Sequence, residues 1–207
     1  MRISIFTILL VLVFANCQRK ESTLIGHELH NGDLIFQTSQ SAQSQAIQLA
    51  TKSKYSHCGI IYKEDGKWFV FEAIQPVQRT PLDNWVARGK DSHYIVKRLK
   101  NADKVLTEDN LTKMKAIAES MGGKDYDLYF EWSDDRIYCS ELIWKIYKEG
   151  TGIEIGKLQE LKDFDLTNPA VKAKLKERYG NNIPQHEKVI SPAAMFNSDL
   201  LTTIISK

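Results

Sequence analysis

Cysteine is scarce in this chain: there are three in 207 residues, at positions 17, 58 and 139. No two stand at the spacing of a structural zinc site, so neither a zinc fold nor a dense disulfide scaffold is indicated. An excess of charge is missing as well. Lys and Arg number 28 against 26 Asp and Glu, a net charge of +2, which excludes the basic footprint of a nucleic-acid-binding surface. No internal repeat or low-complexity tract is present. No apolar run reaches the roughly 20 residues that a bilayer-spanning helix requires. What remains is a chain with 43% hydrophobic residues, enough for one globular domain with its own core.

The first residues differ from the rest. Met1-Arg2 is a short basic start, residues 3–15 are apolar, and Gln18-Arg19-Lys20-Glu21-Ser22 is polar. That pattern predicts an export signal. Cys17 at the end of the apolar run resembles the lipid-attachment cysteine of a bacterial lipoprotein, although Phe14 and Asn16 depart from the usual Leu and Gly or Ala. Ordinary signal cleavage nearby, or an uncleaved anchor, are the alternatives. The expected division is a lipoprotein-type signal over 1–17, a linker over 18–30 and a single domain over 31–207. It implies an exported protein of the cell envelope or periplasm, held to the membrane by its N-terminal lipid.

The chemistry points to residues 133–144, Ser-Asp-Asp-Arg-Ile-Tyr-Cys-Ser-Glu-Leu-Ile-Trp. Cys139, Leu142, Ile143 and Ile146 recur at i, i+3, i+4 and i+7, one face of a helix. Cys139 therefore sits in a first helical turn and faces inward, where free backbone N–H groups and the helix dipole favour the thiolate. The same N–H groups can receive an oxyanion. A lone cysteine of this kind is equally a core-filling residue, so a base has to be found. Ser140 and Glu141 leave the apolar stripe and read as local capping contacts.

Taken in order, residues 34–36 form a strand after an Asn31-Gly32-Asp33 turn. Residues 39–53 form a helix capped by Ser39 or Ser41, and 55–62 and 68–73 are strands flanking Glu64-Asp65-Gly66-Lys67. A short helix over 81–87, a strand over 92–99, and a helix over 107–121 stopped by Gly122-Gly123 follow. Asn168-Pro169 opens another helix ended by Gly180, and 200–205 is a strand or apolar tail.

The Asp65-Gly66 hairpin supplies the base. Whether its loop has two or four residues, position 63 opposes 68, which puts His57 and Glu72 on one side of the pleat as diagonal neighbours. Such neighbours lie about 7–8 Å apart, within reach of two polar side chains. A carboxylate on one imidazole nitrogen fixes the tautomer and frees the other nitrogen as a base. Cys58 faces the opposite side and reads as packing, though a disulfide with Cys139 stays open in an exported protein. The remaining histidines lack such a partner: His27, His30 and His186 lie in polar segments, and His93 opens a strand. Tyr126 could line the pocket or support an oxyanion, or be an aromatic core residue. Tyr138 is a further candidate of that kind, and Arg136 could meet an anionic substrate or its acidic neighbours.

Gly32-Asp33-Leu34-Ile35-Phe36-Gln37, Tyr55-Ser56-His57, Phe71-Glu72-Ala73, Ser133-Asp134-Asp135-Arg136 and Tyr138-Cys139-Ser140-Glu141 resemble the YiiX family. These are circularly permuted papain-like proteins related to NlpC-type cell-wall peptidases, and the similarity runs from about Gly32 to the C-terminal segment. The resemblance implies an α+β fold in which a small antiparallel sheet or barrel carrying His57 and Glu72 packs against helices. It also implies a Cys139-His57-Glu72 triad that hydrolyses an amide bond, such as those of cell-wall peptides, with no metal and no cofactor. Two other readings share the fold. One is an acyltransferase or lipid ester or amide hydrolase of the lecithin:retinol acyltransferase type, and the other is a catalytically silent peptide-binding module. The partners expected are a small peptide, amide or lipid substrate and a membrane, but no nucleic acid.

Overall fold

A two-residue turn sets the register of the whole sheet. In the computed structural model, which describes residues 29–207, Asp65 and Gly66 take φ of 48° and 77°. Positive φ at both central positions is the geometry of the tight hairpin whose twist matches its strands. Lys63 consequently opposes Trp68, and Ile60 opposes Phe71, the parity expected from the sequence. The export signal over 1–17, with Cys17, and most of the 18–30 linker lie outside the described residues.

The strands of this sheet are β1 (Leu34–Gln37), β2 (His57–Glu64), β3 (Lys67–Glu72), β4 (Gln78–Pro81) and β5 (Tyr94–Leu99). Two short ribbons follow, β6 (Asp125–Tyr126) beside β7 (Arg136–Ile137), and β8 (Gln159–Glu160) beside β9 (Lys188–Val189). A last strand, β10 (Leu201–Ser206), returns to the main sheet, whose order is β10-β5-β1-β2-β3-β4 with antiparallel neighbours throughout. Residues 200–205 are thus a strand. The sequence gives no warning of β4, because Gln78-Arg79-Thr80-Pro81 carries no apolar alternation. It is an edge strand, and its terminal proline is tolerated where no further strand must pair.

The helices are α1 (Ala42–Thr51), α2 (Leu82–Ala87), α3 (Ala102–Val105), α4 (Glu108–Met121), α5 (Cys139–Thr151), α6 (Pro169–Tyr179) and α7 (Pro192–Phe196). Their starts follow capping chemistry. Ser41 accepts the Ser44 N–H at 3.1 Å, Thr107 accepts that of Asn110 at 3.3 Å, and Asn168 accepts that of Ala170 at 2.9 Å. Mixed helix and antiparallel sheet make the α+β class expected.

Alternation along the strands divides the interior in two. Leu34, Phe36, Cys58, Ile60 and Phe71 face the side on which Leu142, Ile143 and Ile146 of α5 pack. Burial of such side chains stabilises by about 1.5–3 kcal/mol each. Ile35, Ile61 and Val70 face the other side, closed by Trp85 and Leu82 of α2. Between the two layers Gly59 has no room for a side chain: a Cβ there would stand 2.3 Å from Val70 Cγ1 and 3.0 Å from the Phe71 carbonyl oxygen. Gly59→Ala is expected to cost about 1–3 kcal/mol through overpacking, read as a lower urea midpoint at unchanged m-value.

Candidate active site

Cys139 is the first residue of α5, after Tyr138 as N-cap, so its placement in the first turn stands. What anchors that turn was not evident from sequence. The Tyr138 phenol oxygen accepts the Ile190 N–H at 3.1 Å, and the Ser140 hydroxyl donates to the Ile190 carbonyl at 2.8 Å. The residues flanking the thiol are both pinned to one backbone unit of the C-terminal segment. Ser140 and Glu141 are fully buried; Glu141 makes the local capping contact expected of it, whereas Ser140 bonds the distant Ile190 carbonyl instead of a local group. Glu141 accepts the Tyr138 N–H at 3.4 Å and pairs with Lys145 at 2.8 Å. Lys145 also donates to the Ser133 carbonyl at 2.6 Å and to Asp134 at 2.7 Å, tying the 133–134 loop to the helix.

His57 and Glu72 meet as the hairpin parity predicts, with Nε2 and Oε2 2.6 Å apart. That contact leaves Nδ1 as the ring nitrogen free for the thiol. The other carboxylate oxygen of Glu72, Oε1, accepts from Thr80 Oγ1 and from Arg88 Nη2, both at 2.5 Å. The His57 ring stacks on Trp85, centroids 5.8 Å apart and planes 24° apart. Thr80, Trp85 and Arg88 were missed at the sequence level. Neither β4 nor the end of α2 carries a periodic signal that would have found them; the register of β4 sets Thr80 opposite Val70 and diagonal to Glu72.

The electrostatics favour an ion pair between Cys139 and His57. Burial works against the imidazolium, but hydrogen bonds to Cys139 and Glu72 and the negative charge on both raise the His57 pKa to about 9. Glu72 is held below the usual carboxylate range; burial opposes this and is outweighed by His57, Thr80 and Arg88. The Cys139 thiol is held well below the thiol range. A hydrogen bond from the Cys58 thiol contributes most, burial opposes, and the His57 hydrogen bond and charge and the Cys58 backbone N–H add to the lowering. Cys58 itself is pushed up, by burial first and then by the neighbouring Cys139.

Cys58 is therefore more than packing. The parity argument correctly turns it away from His57 and Glu72, but α5 packs on its side of the sheet and brings Cys139 to it. His57 reaches the same thiol because it is the first residue of β2, at the sheet's end. Both cysteines are free thiols.

A cleft with about 700 Å³ of free space, its open mouth included, is floored by Cys139 and walled by α1 and α6. Ile47, Phe164, Leu166 and Leu175 make it apolar, with Lys174 and Arg178 among its lining. Tyr126 lines it, held beside the nucleophile turn by the pairing of Tyr126 with Ile137. Its hydroxyl accepts from Gln43 Nε2 at 3.0 Å, and Gln43 is a second polar cleft residue the sequence did not single out. Tyr138 also lines the cleft, but its hydroxyl is committed to Ile190. Arg136 pairs with Glu131 at 2.9 Å, the acidic-neighbour alternative.

A cysteine at a helix start, set against an imidazole–carboxylate pair on an antiparallel sheet, is the arrangement of papain-type thiol enzymes. Here the imidazole precedes the thiol in the chain, the permuted order. The chain belongs to the permuted papain-like amidase enzymes of the YaeF/YiiX, C92 family, whose model matches residues 28–205. It is 49% identical over 173 residues to the uncharacterized protein YiiX of Escherichia coli K12, covering 84% of each chain. The crystal structure of yiiX from Escherichia coli O157:H7, described as a metalloprotein, superposes with a TM-score of 0.83 at 48% identity, over 87% of this chain and 98% of that one. Among the described residues of this chain, no three His, Cys, Asp or Glu side chains are grouped to hold a metal ion.

Glu141 offers a test of the helix-start packing. Burial outweighs Lys145 and raises its pKa to about 7, so the folded state favours the protonated form. This contribution is present below the unfolded value of about 4.3 and is lost as pH rises through about 7. Glu141→Gln should therefore gain stability relative to the parent by about 3 kcal/mol between pH 4.5 and 7.5, measured as urea midpoints at both values.

Proposed function

We propose that this protein is a thiol hydrolase that cleaves amide bonds in small peptides or related amides, with Cys139, His57 and Glu72 as its catalytic residues. The observation that carries the reading is the 2.6 Å His57–Glu72 contact, which orients an imidazole toward a thiol already favoured as thiolate. The Cys139 thiolate attacks the carbonyl carbon, and its oxygen collects charge near the free backbone N–H of Cys139 at the helix start. His57 then passes its proton to the departing amine. In the resulting thioester the now neutral imidazole takes a proton from water, whose oxygen attacks, releasing the acid and restoring the thiolate.

The apolar lining of the cleft favours a second reading, in which the acyl part of the substrate is a lipid ester or amide. Release of fatty acid in place of free amino groups from a mixed substrate panel distinguishes it. A lipid anchor at Cys17 and a place in the cell envelope are part of the same proposal. They rest on residues 1–22 alone, since among the described residues no helix is long and apolar enough to cross a membrane.

Alkylation by iodoacetamide, mapped by peptide mass spectrometry, tests the dyad. At pH 6 Cys139 should react at least about tenfold faster than a model thiol, which is almost entirely protonated there. His57→Ala should reduce that advantage, leaving only the share due to Cys58 and the helix start, and lower kcat/KM by a factor on the order of 10²–10⁴, and Cys139→Ala should abolish turnover. Equal alkylation rates for Cys139 and the model thiol, with His57 present or absent, would refute the reading.

A further inference from the structure

Four charges alternate in a line at one end of the sheet: the Cys139 thiolate, the His57 imidazolium, the Glu72 carboxylate and the Arg88 guanidinium. Three of them are buried, with Glu72 fully enclosed, whereas the Arg88 side chain is 41% exposed. Arg88 caps the C-terminal end of α2, the same short helix whose Trp85 stacks on His57. One element thus fixes the ring by stacking and anchors the carboxylate that orients it. Arg88 Nη2 and Thr80 Oγ1 both occupy Oε1 of Glu72 at 2.5 Å, and His57 occupies Oε2 at 2.6 Å. The carboxylate therefore has one oxygen for structure and one for the base.

We propose that Arg88 is a positioning residue of the reaction, acting through Glu72 to set how tightly His57 holds its proton. This rests on the thiol-hydrolase reading above. The reaction asks opposite things of the imidazole: a proton to give while the amine leaves, and none when water must be activated. A buried carboxylate facing His57 with no counter-charge would hold the imidazolium in the protonated state. Arg88 neutralises that carboxylate from the solvent side and leaves the inner oxygen's hydrogen bond intact. The titratable groups facing the chain from its other sides are Cys139 of α5, Cys58 of β2 and Tyr126 of β6, with Lys174 and Arg178 of α6 on the cleft wall beyond them. Arg88 is the cationic side chain that reaches Glu72 from the solvent side, so its guanidinium is the counter-ion of that carboxylate.

The pH profile of kcat/KM tests this, with a peptide amide as substrate and iodoacetamide alkylation of Cys139 as a second readout. Removing a cation stabilises the protonated form of each neighbour. Arg88→Met should accordingly move both limbs of the profile to higher pH, the alkaline limb by roughly half a unit, the scale of one partly exposed ion pair. Arg88→Lys, which keeps the charge, should restore the parental position. Arg88 is at the surface, so both variants should fold, and urea midpoints check this; Arg88→Gln replaces Met if it does not. An alkaline limb that stays in place or moves to lower pH in the charge-neutral variant overturns the inference about Arg88. The parent's Cys139 alkylating no faster than a model thiol at pH 6 overturns the thiol reading instead, so the two failures are distinct.

Discussion

Everything at this site depends on keeping one carboxylate ionised where no water reaches it. Glu72 has no exposed surface, and a buried carboxylate without partners would take up a proton. Three donors prevent that, from β2, β4 and the end of α2. Each belongs to a different element, so the sheet and its covering helix must all be in place before the charge is tolerated. The imidazole inherits its orientation from that arrangement, and the thiol draws part of its ionisation from the imidazole. A chain of dependence therefore runs from backbone register to reactivity.

The thiol is supported from a second direction. Cys139 stands at a helix start whose dipole already favours the anion, and the neighbouring Cys58 contributes a thiol and a backbone N–H on the sheet side. The burial that stabilises the hydrophobic layer around α5 opposes ionisation of the same sulfur. Specific hydrogen bonds decide the outcome, not the general environment. The Lys145–Glu141 pair and its loop contacts then hold the helix start in one position beneath the cleft.

Much of this could be read from residues alone. The hairpin turn announces itself through Asp65-Gly66, a pair that favours two positive φ values, and the register that follows is arithmetic for a loop of two or four residues. The inward stripe of α5 is equally direct, since Leu142, Ile143 and Ile146 have no other reason to recur at helical spacing. What stayed hidden shares a different character. Thr80 and Arg88 act on Glu72 from a polar edge strand and from a helix end, and neither leaves a periodic trace. Ser140 reads as a local contact because its partner, Ile190, is supplied by tertiary packing, whereas Glu141 does find its partners locally, at the Tyr138 N–H and at Lys145 one turn on. Cys58 was correctly assigned to a face of the sheet, but which helix covers that face is a question of topology, and periodicity is silent on it. The export signal and Cys17 lie outside the described residues and remain a matter of sequence.

The clamp between the nucleophile turn and Ile190 has a bearing on biosynthesis. Synthesis proceeds from the N-terminus, and domains form as their segments emerge. His57, Glu72 and Cys139 are all polymerised well before Ile190, which holds both neighbours of the sulfur, and before β10, which closes the sheet's far edge on β5. Because Ile190 follows Cys139 by some fifty positions, the thiol lacks this anchor until the segment around 190 has joined the fold. A chain cut short before Ile190 would carry all three chemical groups and lack the frame that holds both neighbours of the sulfur.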